Sequence, residues 1–167
     1  KLESIKPDIV FSFYYRSILH ESILSMPPFG AYNLHGSLLP AYRGRCPVNW
    51  VLINGEKHTG VTLHAMTDKP DAGPIVGQKR VEIDHDDTAF TLFGRLEQAA
   101  GVLLDELLPA MHAGSINLTP QDLSSGSYYG GRRPEDGRIS WDTSAERIYN
   151  LIRGVTRPYP GAFFHLG

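Results

Sequence analysis

Asn33-Leu34-His35-Gly36-Ser37-Leu38-Leu39-Pro40 sets an amide and an imidazole two positions apart at the end of the short run Ala31 to His35, which reads as a strand. Side chains on a strand alternate, so Asn33 and His35 face one side and Leu34 points into the opposite layer. Gly36-Ser37 then lets the backbone turn sharply with no bulky side chain over the pair. Open α/β sheets bind ligands at the C-terminal ends of their strands, and the pair stands at such an end. One of the two side chains donates a hydrogen bond and the other moves a proton.

The flanking sequence alternates strand and helix. Ile9 to Phe13 is short, apolar and β-branched at its start, which predicts a buried strand of a parallel sheet. Residues 15–26, with Ile18, Leu19, Ile23 and Leu24 at helical spacing, predict a short helix ended by Pro27-Pro28. Beyond Pro40 the Arg43-Gly44-Arg45 segment reads as a loop, and Pro47 suits the first position of a helix over Val48 to Ile53, stopped by Asn54-Gly55. Thr59 to Met66 and Ile75 to Ile83 read as a connected pair of strands around the turn formers Thr67 to Pro74. Asp87 or Thr88 caps a long helix to about Ala113, with an inward stripe of Leu92, Leu96, Ala99, Leu103, Leu107 and Met111, and Gly114 stops it. Segment 115–137 is polar and rich in Gly and Ser; Arg138 to Trp141 predicts a short strand, and Ser144 to Gly154 a helix with Ile148, Leu151 and Ile152 inward. The whole predicts an open parallel sheet covered by helices. Only part of the usual opening of such a sheet precedes Ile9, and the chain starts at Lys1 without an initiator methionine and ends at Gly167 inside a strand-like stretch, so it reads as a piece of a longer protein, truncated at its N-terminus.

The 167 residues are 41% hydrophobic, 20% charged and 10% aromatic, which predicts an ordinary globular core and excludes a disordered chain. Lys and Arg number 16 against 18 Asp and Glu, a formal charge of -2 that argues against a surface built for nucleic acid or anionic membrane. No stretch approaches the roughly 20 apolar residues of a membrane span, and no signal-like segment precedes Ile9. Cys46 is the single cysteine, so there is neither a disulfide framework nor a thiolate metal cluster, which suits a reducing cytosol.

The imidazole needs a third group to orient it, and Asp71, in the proline-flanked loop after the 59–66 strand, is the best placed. A carboxylate beside His35 is expected to favour imidazolium and raise its pKa. Asp84-His85-Asp86-Asp87 is dense in metal-ligand types, but its side chains alternate in direction and a helix follows, so it reads as a solvated loop and cap. Ser37 lacks the Gly-x-Ser-x-Gly turn of a hydrolase, and Cys46 reads as a structural thiol. After residue 131, Arg132, Arg133, Arg138, Arg147, Arg153 and Arg157 outnumber Glu135, Asp136, Asp142 and Glu146; most read as solvated helix faces and salt bridges.

Taken together, Asn33 to Pro40, Tyr42-Arg43-Gly44-Arg45 and Asp71-Ala72-Gly73 resemble the folate-dependent formyltransferases, a likeness that runs from about Pro7 to Gly167. Phe11 to Arg16, Asn49 to Glu56, Gly131 to Asp136 and Arg157 to Phe163 resemble in particular the branch that formylates UDP-4-amino-4-deoxy-L-arabinose in lipid A modification and polymyxin resistance. The resemblance implies a Rossmann-like α/β fold, an open, mainly parallel sheet with helices on both faces. Residues 1–130 would be the catalytic core without its first strands, and 131–167 a linker and the start of a C-terminal subdomain. It implies 10-formyltetrahydrofolate as co-substrate, no metal, and the amine of a UDP-amino-sugar as acceptor. Asn33 and His35 would be donors to the oxygen that gains charge, His35 would also shuttle the amine proton, and Asp71 would hold His35 charged and oriented. The folate would lie against Ser17, Ile18, Leu19 and Arg45 and along Thr67, Asp68, Lys69, Pro70 and Asp71, with Arg45 meeting the glutamate tail. One or two of the arginines after 131 would face the sugar-nucleotide pyrophosphate. The expected protein is cytoplasmic, takes a small sugar nucleotide rather than a nucleic acid, does not insert into membranes, and forms any homo-oligomer through a domain beyond these residues.

Two other readings compete. Methionyl-tRNA formyltransferase shares the catalytic set and adds a basic C-terminal domain; the balanced charge and the four segments above weigh against it. A silent folate- or nucleotide-binding module is the second, opposed by the presence of all three catalytic residue types. The isolated 167 residues are nonetheless expected to be inactive, since a sheet without its first strands leaves an unpaired edge.

Overall fold

A computed structural model describes residues 2–15 and 17–166, the side chains of Leu2 and Glu3 excepted. In chain order the elements are α1 (Leu2–Ile5), β1 (Val10–Phe13), α2 (Glu21–Leu24), β2 (Ala31–His35), β3 (Arg43–Gly44), α3 (Pro47–Ile53), β4 (His58–Ala65), β5 (Ile75–Glu82), α4 (Ala89–His112), β6 (Tyr128–Tyr129) and α5 (Ala145–Val155). Short 3-10 turns lie at Leu123–Ser125 and Pro134–Gly137.

The main sheet runs β1-β2-β4-β5. The α/β class holds, but the strand directions need correction: β1 and β2 are parallel, whereas β2–β4 and β4–β5 are antiparallel, so the sheet is mixed rather than mainly parallel. A parallel return needs a crossover of about a dozen residues or more, and the 66–74 connection is too short and too rich in turn formers to supply one. Between β2 and β4 the chain stays folded over the end of β2. Helix α3, about 10 Å long, does not carry it back to the strand's start.

Each strand serves two layers. Tyr32 and Leu34 on β2 stand opposite Ala65 and Leu63 on β4, and this face, with Val61, packs under Leu92, Leu96 and Leu103 of α4 and Val51 and Leu52 of α3. The alternate residues Asn33, His35, Thr62 and His64 make up the other, polar face. Helix α4 follows the predicted stripe: Thr88 caps it, accepting from the Thr91 N–H, and Gly114 leaves it at φ +66°. The Asp87 carboxylate accepts from the Asp84 N–H and the Thr91 hydroxyl and pairs with Arg95, so the Asp84 to Asp87 run is the predicted loop and cap.

Three local expectations are corrected. The 15–26 helix is confined to Glu21–Leu24, begun by the His20 ring that accepts from the Ser22 N–H; Arg16 lies outside the described residues. Arg138 to Trp141 makes a single bridge, Arg138 to Phe163, in place of a strand. Helix α5 buries Asn150, Arg153, Gly154 and Val155, while Ile152 is exposed and Ile148 and Leu151 are half-buried. Its polar side is inward because it makes specific bonds there: Arg153 donates to Asn150 Oδ1 and to the Asp84 and Asp87 carbonyls, and Asn49 of α3 donates to the Gly154 carbonyl at 2.7 Å.

Gly154 lies in the last turn of α5, where carbonyls have no partner inside the helix. Asn49→Ala would strip this buried carbonyl of its donor, so unfolding in urea should show a loss of about 1–3 kcal/mol.

Candidate active site

The β2–β4 register sets Asn33 beside His64 and His35 beside Thr62. Thr62 then fastens the turn after β2: its hydroxyl donates to the Ser37 carbonyl (2.6 Å) and accepts from the Leu39 N–H (3.1 Å). Gln78 on β5 donates to both the Leu39 carbonyl and Thr62 Oγ1 at 2.9 Å, and the fully buried Ser37 donates to the Ala41 carbonyl at 2.6 Å. The turn that Gly36-Ser37 predicts is therefore pinned from the sheet below it.

Arg43–Gly44, expected as loop, forms a two-residue parallel ladder with Tyr128–Tyr129. It carries the Gly44 N–H to Asp71 Oδ2 at 2.8 Å. Gly44 sits at φ +95°, and a Cβ there would lie 2.2 Å from the Tyr129 carbonyl oxygen, so only glycine fits. Asp71 adopts the left-handed conformation at φ +51°, at a cost of about 1 kcal/mol that its surroundings offset.

Asn33, His35 and Asp71 do converge. Asp71 Oδ1 is 3.5 Å from His35 Nδ1 and 3.5 Å from Asn33 Nδ2. His64, which sequence reasoning passed over, completes the group: its Nε2 is 3.1 Å from Asn33 Nδ2 and 3.6 Å from Asp71 Oδ1. Its Nδ1 faces the Ala65 carbonyl at 2.9 Å, and because a carbonyl only accepts, Nδ1 carries the proton and Nε2 receives the Asn33 amide. One Asn33 N–H is thus held in place, and the second, at the limit of a bond to Asp71, is available to a ligand. The signal for His64 was its place two residues from Thr62 on the strand that pairs with Asn33.

His35 is fixed by the same logic. Its Nε2 lies 2.7 Å from the Tyr42 carbonyl, so Nε2–H is a donor and Nδ1 faces Asp71. The expectation of a raised pKa is corrected: burial lowers the His35 pKa and outweighs the opposing pull of Asp71 and the Tyr42 carbonyl, with His64 also lowering it. The His35 side chain is only 7% exposed, and removing imidazolium from water outweighs one carboxylate at 3.5 Å. His35 is therefore neutral at pH 7, with Nδ1 bare. Burial raises the Asp71 pKa, but the His64 and His35 rings and the Gly44 amide together hold it below the usual carboxylate range.

The remaining predicted residues lie around this centre. Thr67, Asp68, Lys69 and Pro70 are exposed on the loop leading into Asp71, which Thr67 tightens by donating to the Lys69 carbonyl and accepting its N–H. Ser17 and Ile18 are exposed before α2, Ile18 at 72%, with Leu19 half-buried. Arg45 is exposed beside Gly131. Among the described residues no hydrogen bond or ion pair joins 17–19 or the Arg45 side chain to the 67–70 loop, so the proposed folate set stands as separate walls. Arg132 stacks over Trp50 at 4.6 Å and, with Arg133, lines a cleft beside Cys46 and Tyr159, whereas Arg153 is consumed by α5 packing. Among the described residues no group of three His, Cys, Asp or Glu is placed to hold a metal, and no helix is long and apolar enough to cross a membrane.

Known proteins resemble this chain in sequence and in fold. The formyl transferase family profile covers residues 1–108, and the formyl transferase C-terminal domain profile covers residues 132–167. The formyltransferase PseJ from Anoxybacillus kamchatkensis, solved with UDP-4,6-dideoxy-4-formamido-L-AltNAc and tetrahydrofolate, is 33% identical over 77% of this chain and 67% of its own, with a TM-score of 0.70. An N-formyltransferase from Helicobacter canadensis, solved with folinic acid and dTDP-3-aminofucose, shares the fold at 24% identity and TM-score 0.81, over 92% of this chain and 58% of its own. A 4-N formyltransferase from Francisella tularensis does so at 20% identity and TM-score 0.85, over 98% and 69%. With a family profile spanning well over half of its residues, this chain belongs to the formyl transferase family.

Proposed function

We propose that the protein transfers a formyl group from 10-formyltetrahydrofolate to the amine of a nucleotide-linked sugar. One observation carries this reading: Asp71 Oδ1 lies 3.5 Å from both His35 Nδ1 and Asn33 Nδ2, a carboxylate, a base and an amide donor at one point. The UDP- and dTDP-sugars bound to the Anoxybacillus and Helicobacter relatives support the acceptor class. Tetrahydrofolate and folinic acid in the same relatives support the donor. The narrower acceptor, UDP-4-amino-4-deoxy-L-arabinose, with its role in lipid A modification and polymyxin resistance in the cytoplasm, rests on the sequence likeness at Phe11 to Arg16, Asn49 to Glu56, Gly131 to Asp136 and Arg157 to Phe163.

The geometry supports the chemistry assigned to the residues. The Asn33 N–H that lies toward Asp71 turns to the formyl oxygen as it gains negative charge while the sugar nitrogen bonds to the formyl carbon. His35 Nδ1, bare in the resting site, takes the proton that the nitrogen sheds, and Asp71 stabilises the imidazolium so formed. The same proton then goes to the folate nitrogen as its bond to the formyl carbon breaks. Ser17, Ile18, Leu19, Arg45 and the Thr67 to Pro70 loop are assigned to the folate, with the exposed Ile18 an apolar wall for its flat ring. Residues 1–130 are assigned to the catalytic core and 131–167 to the start of the C-terminal part.

Two predictions test this. A panel of amine acceptors assayed with 10-formyltetrahydrofolate should single out UDP-amino-sugars, and Asn33→Ala should cost about 100- to 1000-fold in kcat; affinity that drops steeply as salt rises would instead indicate a tRNA substrate. The second concerns pH. Because the base is neutral His35 and burial lowers its pKa, kcat should stay flat from neutrality into mild acid and drop only below the ordinary histidine range. Asp71→Asn removes a pKa-raising neighbour, so the drop should move to still lower pH under a lower plateau. Activity that falls as pH rises through neutrality would show that His35 works as imidazolium.

A further inference from the structure

The stretch after α4 straps the loop that bears Asp71. Thr119 pairs with Ile75, each N–H on the other's carbonyl, at 2.8 and 2.9 Å. Two residues on, the Gln121 amide nitrogen donates to the Asp71 carbonyl at 3.1 Å and to the Gly73 carbonyl at 2.5 Å. Both partners only accept, so the nitrogen end of the amide must face the loop. Its Oε1 is buried with no partner, so the side chain is placed for these two bonds and for nothing else in the protein.

The loop needs such a fastening. Asp71 is in the left-handed region, and such residues persist where their surroundings over-determine them. At Gly73 the chain presses against β4 so closely that a Cβ would lie 1.8 Å from the Ala65 carbonyl oxygen. Gly44 holds the Asp71 carboxylate; of the peptide that follows Asp71, the Ala72 N–H reaches the Lys69 carbonyl at 3.4 Å, and Gln121 holds the carbonyl end.

We propose that Gln121 is a positioning residue for the reaction: by holding the peptides of Asp71 and Gly73 it keeps the Asp71 carboxylate against His35 Nδ1. The inference rests on the roles given to Asp71 and His35 under Proposed function. A displacement on the scale of 1 Å in a catalytic set costs on the order of 100-fold in rate, so the bonds at 121 act on kcat although Gln121 touches no reacting atom.

The test uses the full-length enzyme with Gln121→Met, which keeps length and neutrality but has no N–H, and Gln121→Asn, which keeps the amide on a shorter stem. Gln121→Met should lower kcat by about 10- to 100-fold with the KM of both substrates within about threefold. Its acid limb of kcat should move to lower pH. The charged or titratable groups facing His35 are Asp71 and His64, its other nitrogen is on the Tyr42 carbonyl, and only the Asp71 charge among them raises its pKa electrostatically. Gln121→Asn should recover part of the loss in kcat. A Gln121→Met enzyme with parental kcat and acid limb, beside an inactive Asp71→Asn, would overturn the inference and leave the site reading intact. A lowered Tm with kcat and pH profile unchanged would also overturn it, since that is the mark of a purely structural strap. An active Asp71→Asn would instead overturn the site reading and the inference with it.

Discussion

One carboxylate, that of Asp71, ties the candidate site together. Its side chain is only 13% exposed, and a charge so far out of water persists only with partners. The resting donors come from separate stretches of chain, Asn33 on β2 and Gly44 on β3, and the His35 ring of β2 and the His64 ring of β4 lie within 3.6 Å of the same carboxylate. The demands of that one group account for features that otherwise look unrelated. Gly44 must lack a side chain so that β3 can lie against the Tyr129 carbonyl and present its N–H, the 43–45 segment is held by the Ser127 and Tyr129 carbonyls, and the loop below must admit a left-handed aspartate.

The site is also a by-product of the core. On β2 and β4 the residues that pack under α4 alternate with those that face Asp71, so the packing of Leu34 and Leu63 sets the meeting of Asn33 with His64. A slip of one residue would send Asn33 and His35 into the apolar layer and expose the leucines. Burial on one face therefore fixes the arrangement on the other, and the strands need no extra device to keep Asn33, His35 and His64 in register.

What could be read from the sequence follows from which signals are local. The alternation at Asn33-Leu34-His35, Pro47 at the head of α3, and the Thr88 cap with its stripe down α4 each lie within one element, and they appear in the structure as the residues imply. Strand direction, the β3–β6 ladder and His64's meeting with Asn33 depend on pairings between distant stretches that periodicity does not encode. Helix α5 misleads for a related reason. Its apolar residues predict one inward face, but the close approach at Gly154 and the carbonyls waiting for Arg153 turn the polar side inward.

The protonation state of His35 shows the same limit. A carboxylate partner by itself argues for imidazolium, and that is all a sequence can offer, because burial is a property of the folded chain. In the fold, desolvation wins, and the consequence suits an amine acceptor. A histidine already charged could not take the proton that the nitrogen must lose. A neutral one in an apolar pocket could take it but would hold a poorly stabilised cation. Here Nε2–H rests on the Tyr42 carbonyl and Nδ1 is bare beside Asp71, so the ring is neutral before the transfer and has an acceptor at each nitrogen once it is charged. In the proposed reaction the lowered pKa and the nearby carboxylate, which pull in opposite directions as determinants of charge, would serve successive stages of one proton transfer.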